Sequence, residues 1–192
     1  MADVLTAVEW QRVVDTEPRG ALVRFRREFA ERVWSDPEDV RFATEIGVCH
    51  SDGLFQAFTS VIDRDPETDD SCVTEADEVP EPVDTPKGRL QQLGWMMGGR
   101  TFVSLDDGTI WRSAPDLGVD HELVNSDLSS LAYVLYKVMA EAPTRTEELP
   151  SPEDWEGAEN LIREDTRRWD PVPFSDADGF WSRFLDEYQM YY

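Results

Sequence analysis

Gly94-Trp95-Met96-Met97-Gly98-Gly99-Arg100 opens the stretch that decides the fold, which runs to Ala142. Two apolar runs follow on either side of Asp106-Asp107-Gly108: Thr101 to Leu105, and Thr109-Ile110-Trp111-Arg112. Then comes His121-Glu122-Leu123-Val124-Asn125-Ser126. Short apolar runs broken by Gly-Gly and Asp-Gly are strands joined by tight turns, because Asp-Gly supplies positive φ at low steric cost. Glu122 to Asn125 is the last strand, and Ser126 stands where a helix cap belongs. Leu128, Leu131, Leu135, Val138 and Met139 then recur at helical spacing until Pro143 ends the run. A β-meander feeding directly into a helix is the organising unit.

Working outward, Leu90 to Leu93 reads as the preceding strand, with Gly94, Gly98 and Gly99 at the turn into Thr101. Leu54 to Ile62 is a strand or two after Gly53. Ser35-Asp36-Pro37-Glu38 is a helix start: Ser35 caps, Pro37 suits the first turn and Glu38 closes a capping box. That helix runs to Ile46, burying Val40, Ala43 and Ile46, with Gly47 as its stop. Leu22 to Phe25 reads either as a strand or as one helical face with Phe29 and Val33. Asp3 to Val14 spaces Val4, Leu5 and Val8 as a short amphipathic helix. Downstream, Ser151-Pro152-Glu153-Asp154 caps a helix carrying Trp155, Ala158, Ile162 and Trp169, which Asp170-Pro171-Val172-Pro173 breaks. Ser175 and Asp178 start a last helix with Trp181, Phe184, Leu185 and Tyr188. Helices, then a mostly antiparallel sheet, then helices is the signature of an α+β fold.

With 192 residues, seven Trp and nine Phe, a single domain with a two-layer core is the expectation. Within it, residues 63–86 differ in composition. These 24 residues hold ten acids, four prolines and one Arg, without an aromatic, and read as a long solvated loop inserted in the domain. The net charge of -23 opposes direct contact with nucleic acid or an anionic membrane and favours a basic protein partner. Solubility alone explains such a charge equally well. Two cysteines, Cys49 and Cys72, make neither a disulfide framework nor a thiolate zinc site. Met1-Ala2-Asp3 opens without a basic region before an apolar core, and no run of about 18 apolar residues occurs. A cytoplasmic protein is the expectation.

Catalytic and metal constellations are weak. His50 and His121 share no helical spacing, so a surface or turn role outweighs a metal site. Cys49-His50 are adjacent and point to opposite sides of an extended chain, which suits a small buried thiol better than a nucleophile pair. Gly98-Gly99-Arg100 lacks the ending of a phosphate loop, and the hairpin turn accounts for Asp106-Asp107. No cofactor or metal is expected, and no enzyme.

Several stretches together resemble the SUKH superfamily of bacterial immunity proteins, in particular its fourth subgroup. Ala43-Thr44-Glu45-Ile46-Gly47-Val48 is similar to the family's helix ending in glycine before the first sheet strand, and Leu54-Phe55 sits where that pattern resumes. Leu93-Gly94 resembles the Leu-Gly step into the meander, and Gly108-Thr109-Ile110-Trp111 its Gly-x-Val-Trp hairpin. Leu123-Val124-Asn125-Ser126-Asp127-Leu128 is like the Val-Asn-Ser-Ser-Leu signature that opens a helix. Phe180-Trp181-Ser182-Arg183-Phe184-Leu185 resembles the closing Phe-Trp-x-x-Leu-Leu. The chain departs from the family at Cys49, where proline is usual, and in the length of the acidic insertion.

The resemblance implies a cytoplasmic antidote that binds and blocks a polymorphic toxin, often a nuclease or nucleic-acid deaminase. The signature residues have ordinary structural roles: Gly47, Gly94 and Gly108 for backbone geometry, Trp111 and Trp181 for core, Asn125 and Ser126 for turn and cap. Partner contact is expected at the acidic tract, namely Asp69, Asp70, Glu75, Asp77, Glu78, Glu81 and Asp84, with a solvated loop as the plain alternative. A regulatory or scaffold module acting on a housekeeping partner, and an acidic mimic of DNA that binds a basic protein, are the alternative functions.

Overall fold

The computed structural model describes residues 22–49, 54–63, 73–143 and 149–191. The Asp3–Val14 helix, His50, Cys72, Asp69 and Asp70 lie outside the described residues. In chain order the elements are β1 (Leu22–Val23), α1 (Arg27–Val33), α2 (Pro37–Arg41, prolonged by a π-helical turn over Phe42–Ile46), β2 (Val48–Cys49) and β3 (Phe55–Phe58). β4 (Val73–Thr74), β5 (Val83–Thr85), β6 (Gly88–Met96), β7 (Gly99–Ser104), β8 (Ile110–Ala114) and β9 (Val119–Asn125) follow. The chain ends in α3 (Leu128–Ala140), α4 (Pro152–Trp169) and α5 (Phe180–Asp186), with short 3-10 turns beside α5.

Strands β3 to β9 form one mixed sheet in the order β4-β3-β6-β7-β8-β9, and β5 pairs β6 on the edge that β3 also uses. All its pairings are antiparallel except β3 with β4. Helices and sheet segregate along the chain as the α+β pattern requires. Val103, Ile110 and Val124 on the sheet share one core with Leu131 and Leu135 of α3, Ile162 of α4, and Trp181 and Leu185 of α5. Each such side chain, fully buried, contributes about 1.5–3 kcal/mol before entropy is charged against it.

Leu22 to Phe25 supports both readings in part. Leu22 and Val23 pair with Cys49 and Val48, Phe25 bridges Ile62, and the helix begins only at Arg27. Phe25, Phe29 and Trp34 then pack ring to ring, with Phe25 and Trp34 edge-on at 5.5 Å.

Three capping expectations change. Asp36 caps α2 in place of Ser35, its carboxylate accepting the Glu38 N–H at 2.9 Å. Asp127 caps α3 in place of Ser126, its Oδ1 accepting the Ser130 N–H at 2.7 Å. In both cases a carboxylate one residue along competes successfully with the hydroxyl, as its charge favours a helix N-terminus. The last helix starts at Phe180 with Gly179 as its cap residue, not at Ser175 or Asp178. Ser151 and Asp154 do form a reciprocal capping box on α4.

Gly94 is not in the turn. It lies inside β6 opposite Ala57, where an added Cβ would sit 1.9 Å from the Gln56 carbonyl oxygen. Only a residue without a side chain lets β3 approach so closely. The turn is Met97-Gly98, with φ of 47° and 69°, the paired positive values of a type I′ hairpin. Gly47 ends the π-helical turn at φ 87°, its N–H bonded to the Phe42 carbonyl at 2.8 Å.

Candidate functional site

Residues 73–85 of the acidic tract are threaded along the sheet edge, more than the loop that composition suggested. Val73 and Thr74 run parallel to Ala57 and Phe58. Thr59 Oγ1 accepts the Ala76 N–H at 3.0 Å and donates to Glu75 Oε2 at 3.2 Å. Gln91 Nε2 donates to the Pro80 carbonyl at 2.9 Å, and Val83 to Thr85 pair with Leu90 to Gly88. Val73 is buried, and Ala76 and Val79 pack partly buried against the core. Glu75, Asp77, Glu78, Glu81 and Asp84 are exposed. Apolar residues at every third position pin the segment, and the acids between them face water. The tract therefore presents its charge from a fixed edge. Asp69 and Asp70 stand outside the described residues.

A second constellation lies where β9 meets the helices. Trp181 Nε1 donates to Asn125 Oδ1 at 3.0 Å, and Asn125 Nδ2 donates to Ser130 Oγ at 2.8 Å. Ser130 Oγ donates in turn to Asp170 Oδ2. The same oxygen accepts the Ser126 N–H at 3.1 Å and the Ser126 hydroxyl at 2.8 Å, while Oδ1 accepts the Val172 N–H at 2.9 Å. Asp170 is 1% exposed, and Asn125 and Trp181 are fully buried. Four elements meet in this network: β9, α3, the end of α4 and α5. Buried polar groups in a low-dielectric interior are stable only when satisfied, so the network fixes one relative placement of these elements. Its centre, Asn125, Ser130, Asp170 and Trp181, is buried, and its chemistry is structural. The sequence singled out Asn125, Ser126 and Trp181, but not Ser130 or Asp170. Burial raises the pKa of the Asp127 carboxyl, its own helix-capping bonds oppose this, and the Asp170 charge adds to it.

Trp111 departs from its core assignment. It is half-buried on the sheet face away from the described helices, beside Phe102, and its Nε1 donates to Thr109 Oγ1 at 2.8 Å. Gly108 turns β7 into β8 at φ 76°.

Arg112, on the helix side of β8, was missed by the sequence reading. It is 3% exposed and its guanidinium lies 4.8 Å over the Phe180 ring. Nε donates to the Met96 carbonyl at 3.0 Å, and a terminal nitrogen to that of Met97 at 2.6 Å. The other terminal nitrogen pairs with Glu122 at 2.9 Å, which Arg183 also contacts at 2.8 Å. Arg112 thus holds the strained Met97 turn. Polar alternation in a short strand is the only signal for it, and a solvent-facing arginine gives the same signal.

An open groove of about 480 Å³ lies between α1 and α2, with Trp34, Pro37 and Val40 in its wall and Arg27 and Arg41 on its rim. Both arginines are already paired, with Glu31 at 3.6 Å and Glu38 at 2.7 Å. Among the described residues no group of three or more His, Cys, Asp or Glu side chains gathers as a metal site, and no helix is long and apolar enough to cross a membrane. His121 is beside Asp120 at 3.1 Å.

No curated protein and no solved structure matches the chain. The family model described as SUKH-4 immunity protein matches residues 10–187. That span takes in every element of the sheet, the helix ending at Gly47, and the network joining Asn125 to Trp181. On this match over nearly its whole length, the chain belongs to the SUKH-4 immunity protein family.

Proposed function

We propose that this immunity protein neutralises a cognate toxin by occlusion, and that the toxin is a basic protein of the nuclease or nucleic-acid deaminase class, met in the cytoplasm. The observation that carries the reading is the fixed acidic edge: Glu75, Asp77, Glu78, Glu81 and Asp84 exposed on a segment whose apolar residues anchor it to the core. A surface that binds nucleic acid is basic, and a net charge of -23 steers such a surface into contact at low ionic strength. Spaced carboxylates on a preformed edge occupy phosphate-binding positions at little ordering cost. The protein acts by covering the toxin's site, without a reaction of its own.

The test is a tagged pull-down from the source lysate at low salt, followed by co-expression of the captured protein to score rescue from toxicity. A stoichiometric partner with a basic C-terminal domain, lethal alone and harmless with this chain, is the expected result. A housekeeping enzyme or nucleoid protein as partner overturns the reading. Deleting residues 66–84 is a poor probe, because it removes Val73, Ala76 and Val79 from the packed edge. Replacing the five described acids by their amides keeps the edge and removes the charge. That variant is expected to bind more slowly at low salt and to match the parent at high salt.

A further inference from the structure

On the proposed-function reading, we infer that the toxin docks on the face of the sheet that no described helix covers, with Trp111 and Leu123 at the centre of the contact above a floor that includes Phe102. Side chains alternate along a strand, so the neighbours of core residues face the other way. Thr101, Val103, Ile110 and Arg112 point toward the helices; Phe102 stands opposite Trp111, and Trp111 opposite Leu123, on the far side. Leu90 and Phe102 are buried, yet neither belongs to the core the helices share. They form the floor of a second apolar patch. Leu123 is 40% exposed on it, and Val83 of β5 is 44% exposed opposite Leu90.

The aromatics are held in place before any partner arrives. Lys87 Nζ lies 5.6 Å from the Trp111 ring centroid, and the Arg100 guanidinium lies 5.8 Å from that of Trp95. Trp95 and Arg100 are directly opposite each other on β6 and β7. A preorganised patch of Trp, Phe and Leu has the composition of an interface centre.

Charge selects the occupant. Glu81 and Asp84 stand in the acidic tract, Asp106 in the turn from β7 to β8 and Asp116 in the turn from β8 to β9, the strands that carry this patch or border it. All four are exposed and have no ion pair among the described residues. A second copy laid face to face would bring these rims together at a net charge of -23 on each chain, which disfavours self-association. A basic protein surface with an apolar projection complements both centre and rim. The acidic edge described above is then the side of this footprint that steers the encounter, and the sheet face is the part that holds.

The experiment uses the full chain and, as probe, an inactivated form of the toxin domain identified by co-expression rescue, in a surface binding assay. Leu123→Arg places a cation at the centre, and the expected loss of affinity is about tenfold or more, mostly in the off-rate. Leu161→Arg, on the exposed side of α4 at 41% exposure, is the matched control and is expected to stay within about twofold. Oxidative footprinting of the unsubstituted complex gives a measurement that needs no variant: Trp111 should be protected. A toxin that binds Leu123→Arg within about twofold of the parent, or leaves Trp111 unprotected, overturns the assignment while the immunity reading stands. Failure of the toxin domain to bind the unsubstituted chain overturns the occlusion reading itself.

Discussion

Replacing Asp170 by alanine strikes the point where the most elements meet. Its carboxylate accepts from the Ser126 N–H, the Ser126 and Ser130 hydroxyls and the Val172 N–H, at 1% exposure. The two hydroxyls can rotate to other acceptors, but the two amides cannot. A buried donor left without an acceptor costs about 1–3 kcal/mol, so the amides alone set a loss of about 2 kcal/mol or more. The vacated volume adds to this, and relief from burying a charge without a cationic partner subtracts from it. The expected net loss is about 3 kcal/mol, or a fall of about 6–12 °C in Tm for a domain of this size. Asp170→Asn keeps the shape and one acceptor and should lose about half as much. Urea unfolding followed by far-UV circular dichroism and Trp fluorescence measures both, with Glu156→Ala on the exposed face of α4 as the control. An Asp170→Ala protein within about 1 kcal/mol of the parent would mean that the network does not join these elements, and the structural account of Asn125, Ser126 and Trp181 would go with it.

Other substitutions test separate parts of the fold. Gly94→Ala drives a Cβ to 1.9 Å from the Gln56 carbonyl oxygen, a backbone atom that can yield only by unpairing β3, and is expected to cost about 3 kcal/mol in urea unfolding. Gly157→Ala, in α4 with nothing within 4 Å of the added methyl, should do the opposite and stabilise by about 0.5–1 kcal/mol. Arg112→Lys keeps a cation but cannot reach Met96, Met97 and Glu122 together; faster hydrogen exchange in the Met97-Gly98 turn than in β3 is the expected sign. Asp39 is pushed up to about 6, by burial first and then by the charges of Asp127 and Asp36. Its folded pKa exceeds its unfolded value, so the folded state holds the proton more tightly. This contribution therefore favours folding as pH falls from 7 toward 4 and is lost as pH rises through 6. With a half-buried group screened by solvent, the effect is on the order of 1 kcal/mol. Asp39→Asn should remove it, so that the stability gap between variant and parent changes between pH 5 and pH 7; a gap independent of pH counts against the assignment.

The meander, the helix start at Ser151 and the stop at Gly47 were legible because local backbone chemistry dictates them: Asp-Gly at a hairpin, a hydroxyl before Pro at a helix start, glycine at positive φ. The misplaced caps have a common cause. Ser35-Asp36 and Ser126-Asp127 each offer two capping residues in succession, and only the tertiary path decides which one adopts the extended conformation. At Ser126 that path is set by Asp170, 44 residues away, which claims both its N–H and its hydroxyl. Gly94 failed for a related reason. Three glycines within six residues read as a turn, and nothing local tells that the first is needed by a neighbouring strand. Composition led the acidic tract to be read as loop, because the three residues that pin it, Val73, Ala76 and Val79, are few among many acids.

The two kinds of residue differ in what they constrain, which explains why the family was readable and the partner was not. Asn125, Ser126 and Trp181 are tied through Ser130 and Asp170 by directional bonds in a largely buried network, so each tolerates few alternatives and leaves a recognisable pattern of letters. The exposed side chains of Glu81, Asp84, Asp116 and Leu123 are not part of such a buried network. Glu81, Asp84 and Asp116 are held by no ion pair among the described residues, and Leu123 is 40% exposed. Their identities are free of the fold and can be set by whatever binds them. A protein that must match one particular toxin needs that separation. The scaffold is fixed by bonds between α3, α4, α5 and β9, and exposed side chains on the opposite face of the sheet, such as Leu123, can change without breaking them.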